Sequence, residues 1–211
     1  MQQNVTALLR ATSIVAILAV LCCGAGGCLQ TKSYVDPQYR QASIGSLQVP
    51  DKPVNMIVTV EFQTNGKCNK PACEYARRAV CKVLLASRAV RECSDGEKPS
   101  GTLAVTLNNV ANVGEAAGKG FVTGLTYGAA GSHVVDNYVM TAVYTPQGAA
   151  SGPATRPKDL TKTYRHAIHT TIGLHKELTG LTPVPGEAAF DMIVEDMVVN
   201  LLLDLQKESA L

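Results

Sequence analysis

The run from Gly114 to Gly131 constrains this chain more than any other stretch of its sequence. It reads GEAAGKGFVTGLTYGAAG, and its glycines are Gly114, Gly118, Gly120, Gly124, Gly128 and Gly131. A spacing of four residues places glycines on one face of a helix, where the bare backbone lets a second helix approach closely. Each interior glycine also costs a helix about 1 kcal/mol relative to alanine. We therefore expect a helix-packing surface that needs a partner, which is its own fold, another copy or lipid.

The glycine-rich run carries no recognisable ligand chemistry. Its letters GKGFVT, at 118–123, lack the spacing and the Gly-Lys-Ser/Thr ending of a phosphate loop, and the run does not match a dinucleotide fingerprint. The chain has no nucleophile elbow and no HExxH pair. We expect a protein that is not an enzyme and that holds no cofactor.

The same run is short for a membrane span. From Gly120 to Val135 only 16 uncharged residues run together, whereas a bilayer needs roughly 20. Glu115 and Lys119 stand four positions apart and can pair on a helix surface. This arrangement favours a helix at an interface or shallow in the membrane over a full span.

Composition indicates one domain with an aliphatic core. The chain has 211 residues, no tryptophan and three phenylalanines, and 17% of its residues are charged. That share is below the ordinary value of about 25%. The formal net charge of +2 is too small for a nucleic-acid-binding footprint.

The first 27 residues read as an export segment. One cation, Arg10, precedes the uncharged apolar run 11–23, and the small residues 24–27 lead to Cys28. A run of this length suits a signal-peptide core. The pattern resembles a bacterial lipoprotein signal, which implies cleavage before Cys28 and its acylation; Leu29 then implies sorting to the outer membrane. Cys22 and Cys23 fit the pattern poorly because bulkier residues precede them, and the alternative is an ordinary secretory signal followed by a structural cysteine.

The mature chain divides into a tether and a body. Residues 28–53 contain several prolines and no sustained periodicity, which indicates a lipidated tether, although an edge strand at 40–49 is the alternative. Residues 54–211 form the body, with the glycine-rich insert at 111–135. Alternating or β-branched runs predict strands at 55–63, 102–110, 137–145 and 159–172.

Two helices complete the expected body. Helical periodicity covers 72–90, with a basic outer face, and 186–208, with an apolar stripe and an acidic outer face. We expect a two-layer α+β sandwich with a sheet of about four strands, two amphipathic helices and a glycine-rich helical insert. The charges on both helices are interpreted mainly as solvated faces, with complementarity between copies as the alternative.

Four cysteines remain in the body, and export favours disulfides between them. Cys68 and Cys73 flank a strand-to-helix turn, which suits a short bridge, and Cys81 and Cys93 then remain as the second pair. The four-residue gap between the first two does not suit a thioredoxin-like motif. Cys73 and Cys81 are also too far apart on a helix for a zinc site.

Histidines offer no metal site either. His166 and His169 are three positions apart on a predicted strand, which places their side chains on opposite faces. His133 borders the glycine-rich run and is expected in a solvated loop, with an interface or pH-sensitive role as the alternative. We therefore predict no metal.

The layout resembles the TraT family of outer-membrane lipoproteins, which are complement-resistance and conjugal surface-exclusion proteins. The resemblance lies in Cys28, the six glycines above, and the run DNYVMT at 136–141 that enters the next strand. The family's insert is longer and richer in glycine and alanine than this one. The resemblance implies an outer-membrane lipoprotein, and we expect its partner to be the bilayer together with either further copies of the chain or another envelope protein.

The leading hypothesis is a non-enzymatic, lipid-anchored outer-membrane protein that self-associates or contacts the bilayer through a glycine-zipper helix. The alternative is a periplasmic accessory lipoprotein that binds a protein partner in an envelope transport or assembly machine. A third reading makes the glycine-rich run an internal packing element of a soluble domain. Palmitate-type acylation of Cys28 belongs to the first two readings.

Overall fold

A mixed sheet and two helices on one of its faces form the part of the chain that the structure describes. The computed structural model describes residues 31–39, 41–93, 99–111, 131–147, 158–173 and 177–209. The strands are β1 Thr31–Val35, β2 Val54–Thr64, β3 Lys67–Cys68, β4 Val90–Glu92, β5 Gly101–Ala111, β6 Ser132–Pro146 and β7 Leu160–Ile172. The helices are α1 Lys70–Ala86 and α2 Gly186–Lys207, and a 3-10 turn spans Ile44–Ser46.

The sheet has seven strands in the order β1-β7-β6-β5-β2-β3, with β4 also paired to β2. β5, β6 and β7 form a continuous antiparallel meander. β2 and β5 are parallel neighbours, and α1 lies between them in the chain, because parallel strands need a crossover connection. β1 pairs antiparallel with β7 and forms one edge of the sheet.

The core lies between one face of the sheet and the two helices. Alternate residues of the long strands point into it, as in β5, where Leu103, Val105 and Leu107 are buried. α2 contributes the largest apolar stripe, and eleven of its residues are buried. Aromatic contacts are few: Phe190 of α2 meets Tyr138 and Phe62 from the sheet and Tyr75 from α1.

The boundaries of α1 follow from local chemistry. Pro71 stands in the first turn, where a missing N–H costs nothing. The helix ends at Ala86, where Ser87 Oγ donates to the carbonyl of Leu84 and accepts from the N–H of Ala89. Arg88 then takes a positive φ of 60°, which turns the chain into β4. The expected extension of this helix to Val90 is therefore wrong.

The expected sandwich with about four strands is also wrong, because the sheet has seven strands. The four long strands and both helices lie where the periodicity predicts them to within a few residues, except that β6 begins earlier, at Ser132. The missed strands are β1, β3 and β4, of five, two and three residues. Strands of this length are too short to show an alternating pattern, and their pairing partners are distant in sequence.

The segment from residue 31 to residue 48 is fastened to the body rather than extended as a tether. Residues 31–35 form a strand, and the alternative strand at 40–49 is replaced by the 3-10 turn Ile44–Ser46. Leu47 is buried in the core, and Gln48 N–H donates to the side chain of Gln206 on α2. We call residues 31–48 the N-terminal belt.

Candidate functional site

Two aspartate–histidine contacts hold the N-terminal belt against the sheet and α2. The first is a chain of three side chains on the helix-free face of the sheet. His169 Nε2 lies 3.1 Å from Asp36 Oδ2, and His133 Nε2 lies 3.0 Å from His169 Nδ1. Because a carboxylate only accepts, His169 donates to Asp36 through Nε2, and its Nδ1 shares the second hydrogen bond with His133. The two imidazole rings are stacked, with centroids 5.2 Å apart.

Asp36 is held as a carboxylate. Burial alone would raise its pKa, but the N–H of Gln38 donates to Oδ1 at 2.9 Å and His169 donates to Oδ2, so the pKa lies below its ordinary value. Asp36 directly follows β1. Its two hydrogen bonds therefore fix the point at which the belt leaves the sheet.

The second contact joins the belt, β7 and α2 on the other face of the sheet. His166 is almost fully buried, and its Nδ1 accepts from the N–H of Ala167 at 2.9 Å, so Nε2 carries the proton that it donates to Asp196 Oδ2 at 3.1 Å. Asp196 Oδ1 accepts from the N–H of Ala42 at 3.0 Å. The ring of Tyr39 packs on His166, with centroids 5.1 Å apart. One carboxylate of α2 thus holds both the belt and the sheet.

The register of the sheet brings three points of the chain to one end. Ile172, the last residue of β7, pairs with Thr31 on one side and with Ser132 on the other. Thr31 is the first residue of β1 and follows Cys28 by three positions. Ser132 begins β6 just after the glycine-rich run, and β5, which leads into that run, ends nearby at Ala111, opposite Asp136. We call this the anchor end of the sheet.

The sequence-predicted residues of this end lie partly outside the described residues. Cys28 and the glycines from Gly114 to Gly128 are outside them. Gly131 is described and has a φ of 59°, a backbone conformation that glycine adopts without strain, immediately before β6 begins. The predictions of acylation and of a glycine-packing helix therefore stay predictions.

All four body cysteines are free thiols in the structure. Burial and the neighbouring Cys73 raise the pKa of Cys68. Cys81 on α1 and Cys93 after β4 act on each other: Cys93 and Arg77 lower the pKa of Cys81, whereas Cys81 and burial raise the pKa of Cys93. The disulfides remain predictions, and for the second pair the thiolate that attacks an oxidant would be Cys81.

Further expectations concern a metal site, a membrane-spanning helix and the positions of the histidines. Within the described ranges no group of three or more histidines, cysteines or carboxylates could hold a metal ion. None of the described helices is long and apolar enough to cross a bilayer. His166 and His169 do lie on opposite faces, as alternation predicts. His133 lies in β6 rather than in a loop, so that expectation is wrong.

Sequence reasoning missed Asp36 and Asp196 as fastening residues. Asp36 sits in a stretch without periodicity, and Asp196 sits on the side of α2 that reads as a solvated face. The available signal was indirect: His166 and His169 occur in a strand with few other charges, and a histidine on the buried face of a strand needs a hydrogen-bonding partner. Nothing in the sequence identifies which carboxylate supplies it.

We predict that Asp36→Asn loosens the N-terminal belt in a pH-dependent way. Because folding lowers the pKa of Asp36, its stabilisation is present above the ordinary carboxylate pKa of about 3.9 and is lost as pH falls through the folded value. Urea unfolding of the detergent-solubilised protein at pH 7 should show a loss of about 1–3 kcal/mol. The loss should shrink at about pH 2. The exposed Asp51→Asn should change little at either pH, and an equal loss at both pH values for Asp36→Asn would contradict the assignment.

We predict that Cys81 and Cys93 form a disulfide when the chain is exported to an oxidising compartment. Each thiol loses one hydrogen to a thiol–disulfide oxidoreductase, so intact-mass measurement should find this pair two hydrogen atoms lighter and resistant to alkylation. The bridge closes a loop of about a dozen residues, so Cys93→Ser should cost about 3 kcal/mol of stability and leave Cys81 open to alkylation. Cys68→Ser is the control at the other pair. Full alkylation of Cys81 and Cys93 in the exported wild-type protein would rule the bridge out.

Comparison with known proteins gives distant structural likeness only. No family model matches the chain, and no curated protein matches it. Among solved structures, a PelC L103M dodecamer from Paraburkholderia phytofirmans matches at 13% identity and a TM-score of 0.37, covering 82% of this chain and 97% of that one. Protein XCC0632 from Xanthomonas campestris, described with the family model DUF330, matches at 12% identity and a TM-score of 0.38, covering 87% of this chain and 97% of that one. Neither match bears on the resemblance to the TraT family.

Proposed function

We propose that this chain is a non-enzymatic, lipid-anchored protein of the bacterial outer membrane that self-associates or contacts the bilayer through its glycine-rich run. The observation that carries the proposal is the register of the sheet: Thr31 and Ser132 both pair with Ile172. The strand that follows the acylated cysteine therefore starts at the same end of the sheet where the glycine-rich run rejoins it.

The distance between anchor and fold is short. If Cys28 is the acylated first residue, three positions separate it from Thr31, and an extended chain of that length spans about 10 Å. Acyl chains contribute about 0.8 kcal/mol for each buried methylene, so a multiply acylated cysteine holds the domain durably. The anchor end of the sheet is then held against the headgroups, and the glycine-rich run is attached at the same level.

The fastening of the belt supports the same reading. A protein that is only tethered can leave its anchor on a slack linker, whereas here the belt is paired with β7 and bonded through Asp36 and Asp196. This rigid attachment fixes the orientation of the sheet relative to the membrane. A fixed orientation is useful to a protein whose contacts are with the bilayer and with neighbouring copies.

We predict that Cys28→Ser releases the protein from the membrane. The acyl chains are then absent, so the variant should lose metabolic labelling with a clickable palmitate analogue and move to the soluble envelope fraction. Cys22→Ser and Cys23→Ser are matched controls in the same leader, and both should stay labelled and membrane-bound. Retention of label in Cys28→Ser, or its loss in either control, would contradict acylation at Cys28.

We predict that Gly124→Leu and Gly128→Leu weaken self-association of the lipidated protein, because a leucine side chain on the glycine face keeps a second helix at a distance. Crosslinking in membranes followed by sizing in detergent measures the change. Gly45→Leu is the matched control, because this exposed glycine has only Ser43 Oγ near its missing Cβ, at 3.8 Å. A wild-type chain that is monomeric, with glycine variants that behave identically, would contradict the proposal. Co-purification with a transporter that survives both substitutions would favour the accessory-lipoprotein alternative.

A further inference from the structure

The first residues of β6 depend on β7 alone for strand pairing within the described part of the sheet. β5 reaches β6 only as far as Asp136, which lies opposite Ala111. Residues 132–135 lie beyond that point and pair with residues 169–172 of β7. This extension of β6 directly follows the glycine-rich run. A side-chain bond that holds His133 against β7 therefore also holds the point at which the run rejoins the sheet.

His133 and His169 join this extension to β7 on the helix-free face of the sheet. Val135 lies opposite His169 in the register, so His133 is a diagonal neighbour of His169 on the same face. The facing nitrogens, His133 Nε2 and His169 Nδ1, lie 3.0 Å apart. A hydrogen bond of this kind needs a hydrogen on one nitrogen and a lone pair on the other. The outer nitrogen of His169 is already engaged, because Nε2 donates to Asp36.

The pair can hold one positive charge with its hydrogen bond intact, but not two. When one imidazole gains a proton, the other still offers a lone pair, and the bond between the facing nitrogens persists. When both imidazoles are charged, each facing nitrogen carries a hydrogen, because a charged histidine donates from both nitrogens and accepts at neither. The bond is then lost and two like charges face each other. The open form binds one more proton than the closed form, so falling pH favours the open form.

We propose that the His133–His169 pair is a pH-sensitive fastening, which releases residues 132–135 from β7 when both imidazoles are protonated. An unperturbed histidine changes charge near about pH 6.5. The second proton on two neighbouring imidazoles binds below that value, because the first charge repels it. The release therefore belongs to mildly acidic conditions, at about pH 5–6. It depends neither on acylation of Cys28 nor on self-association, and it acts where the glycine-rich run joins the sheet.

The other ionisable groups around the pair do not produce this response. The described groups on the same face are Lys32, Tyr34 and Asp36 of β1, Arg165 of β7 and, through its bond with Lys32, Glu177. Lys32 remains a cation, because its bond with Glu177 raises its pKa. Although burial opposes it, the hydrogen bonds that Asp36 accepts lower its pKa, so Asp36 remains a carboxylate. Asp136 lies on the opposite face by alternation, and burial raises its pKa. A proton bound at Asp136 therefore favours the folded form and opposes the release.

Hydrogen exchange at about pH 7.5 and about pH 5 tests the fastening. Mass spectrometry of the full protein in detergent gives protection factors, corrected for the intrinsic pH dependence of exchange. The protection of residues 132–135 should fall about threefold or more at the lower pH, because a hydrogen bond that supports them is lost. Residues 139–143 pair with β5 and with β7, so their protection should stay constant.

Two substitutions of His133 separate the titrating role from a structural one. In His133→Gln the protection of residues 132–135 should not depend on pH, because an amide donates to a neutral imidazole and accepts from a charged one. In His133→Val, which offers neither a donor nor an acceptor, the protection should be low at both pH values. Asp136→Asn is the matched control on the same strand, and it should keep the response of the wild type.

Three results would overturn the proposal. The first is a wild-type chain in which residues 132–135 are equally protected at both pH values. The second is a pH response that persists in His133→Gln, because the titrating group then lies elsewhere, as at His166 beside Asp196 on the other face. The third is a response that Asp136→Asn abolishes.

Discussion

The C-terminal helix α2 is the element on which the rest of the structure depends. Its buried stripe fills the core between α1 and the sheet. Its polar side also bonds to several other elements: Asp191 to Lys82 of α1, Asp196 to His166 of β7, and Asp204 to Tyr164 of β7. A carboxylate that accepts from a buried imidazole or a phenol loses little to solvent screening. The hydrogen bonds on the acidic side of α2 therefore fix its orientation relative to α1 and β7. The aliphatic contacts of the core do not, because they are nondirectional.

The long elements were predictable because their patterns are strong, whereas the short ones were not. β5 and β6 alternate over more than ten residues, and α2 has apolar residues at helical spacing throughout. β1 has five residues and pairs with a strand more than 130 positions away. No local pattern specifies such a pairing, because its energy comes from backbone hydrogen bonds and from side chains such as Asp36 that act only after the chain has folded. This is why a sheet of about four strands was expected and seven are present.

The candidate site also contains some features that the sequence predicts and others that it does not. The spacing of His166 and His169 correctly predicts opposite faces. The sequence does not predict the partners of the histidines. An aspartate that is solvated and an aspartate that accepts a hydrogen bond across the core are the same residue type in the sequence. Asp191 lies opposite Lys82 of α1, whereas Asp196 lies opposite His166 of β7. That information belongs to the packing of distant segments and not to the helix on which they stand.

Anchoring changes what weak surface complementarity can achieve. An exposed charge pair contributes little in free solution, about 0–1 kcal/mol. Proteins anchored to one bilayer meet in two dimensions with their orientation fixed, so each association step resembles an intramolecular one and the effective concentration rises. The belt is joined to the body through β1, Asp36 and Asp196, so that the anchor proposed at Cys28 would pass its orientation to the sheet. Under the proposed anchoring, weak contacts between neighbouring copies suffice for self-association, because the membrane has already met most of the entropic cost of bringing the copies together.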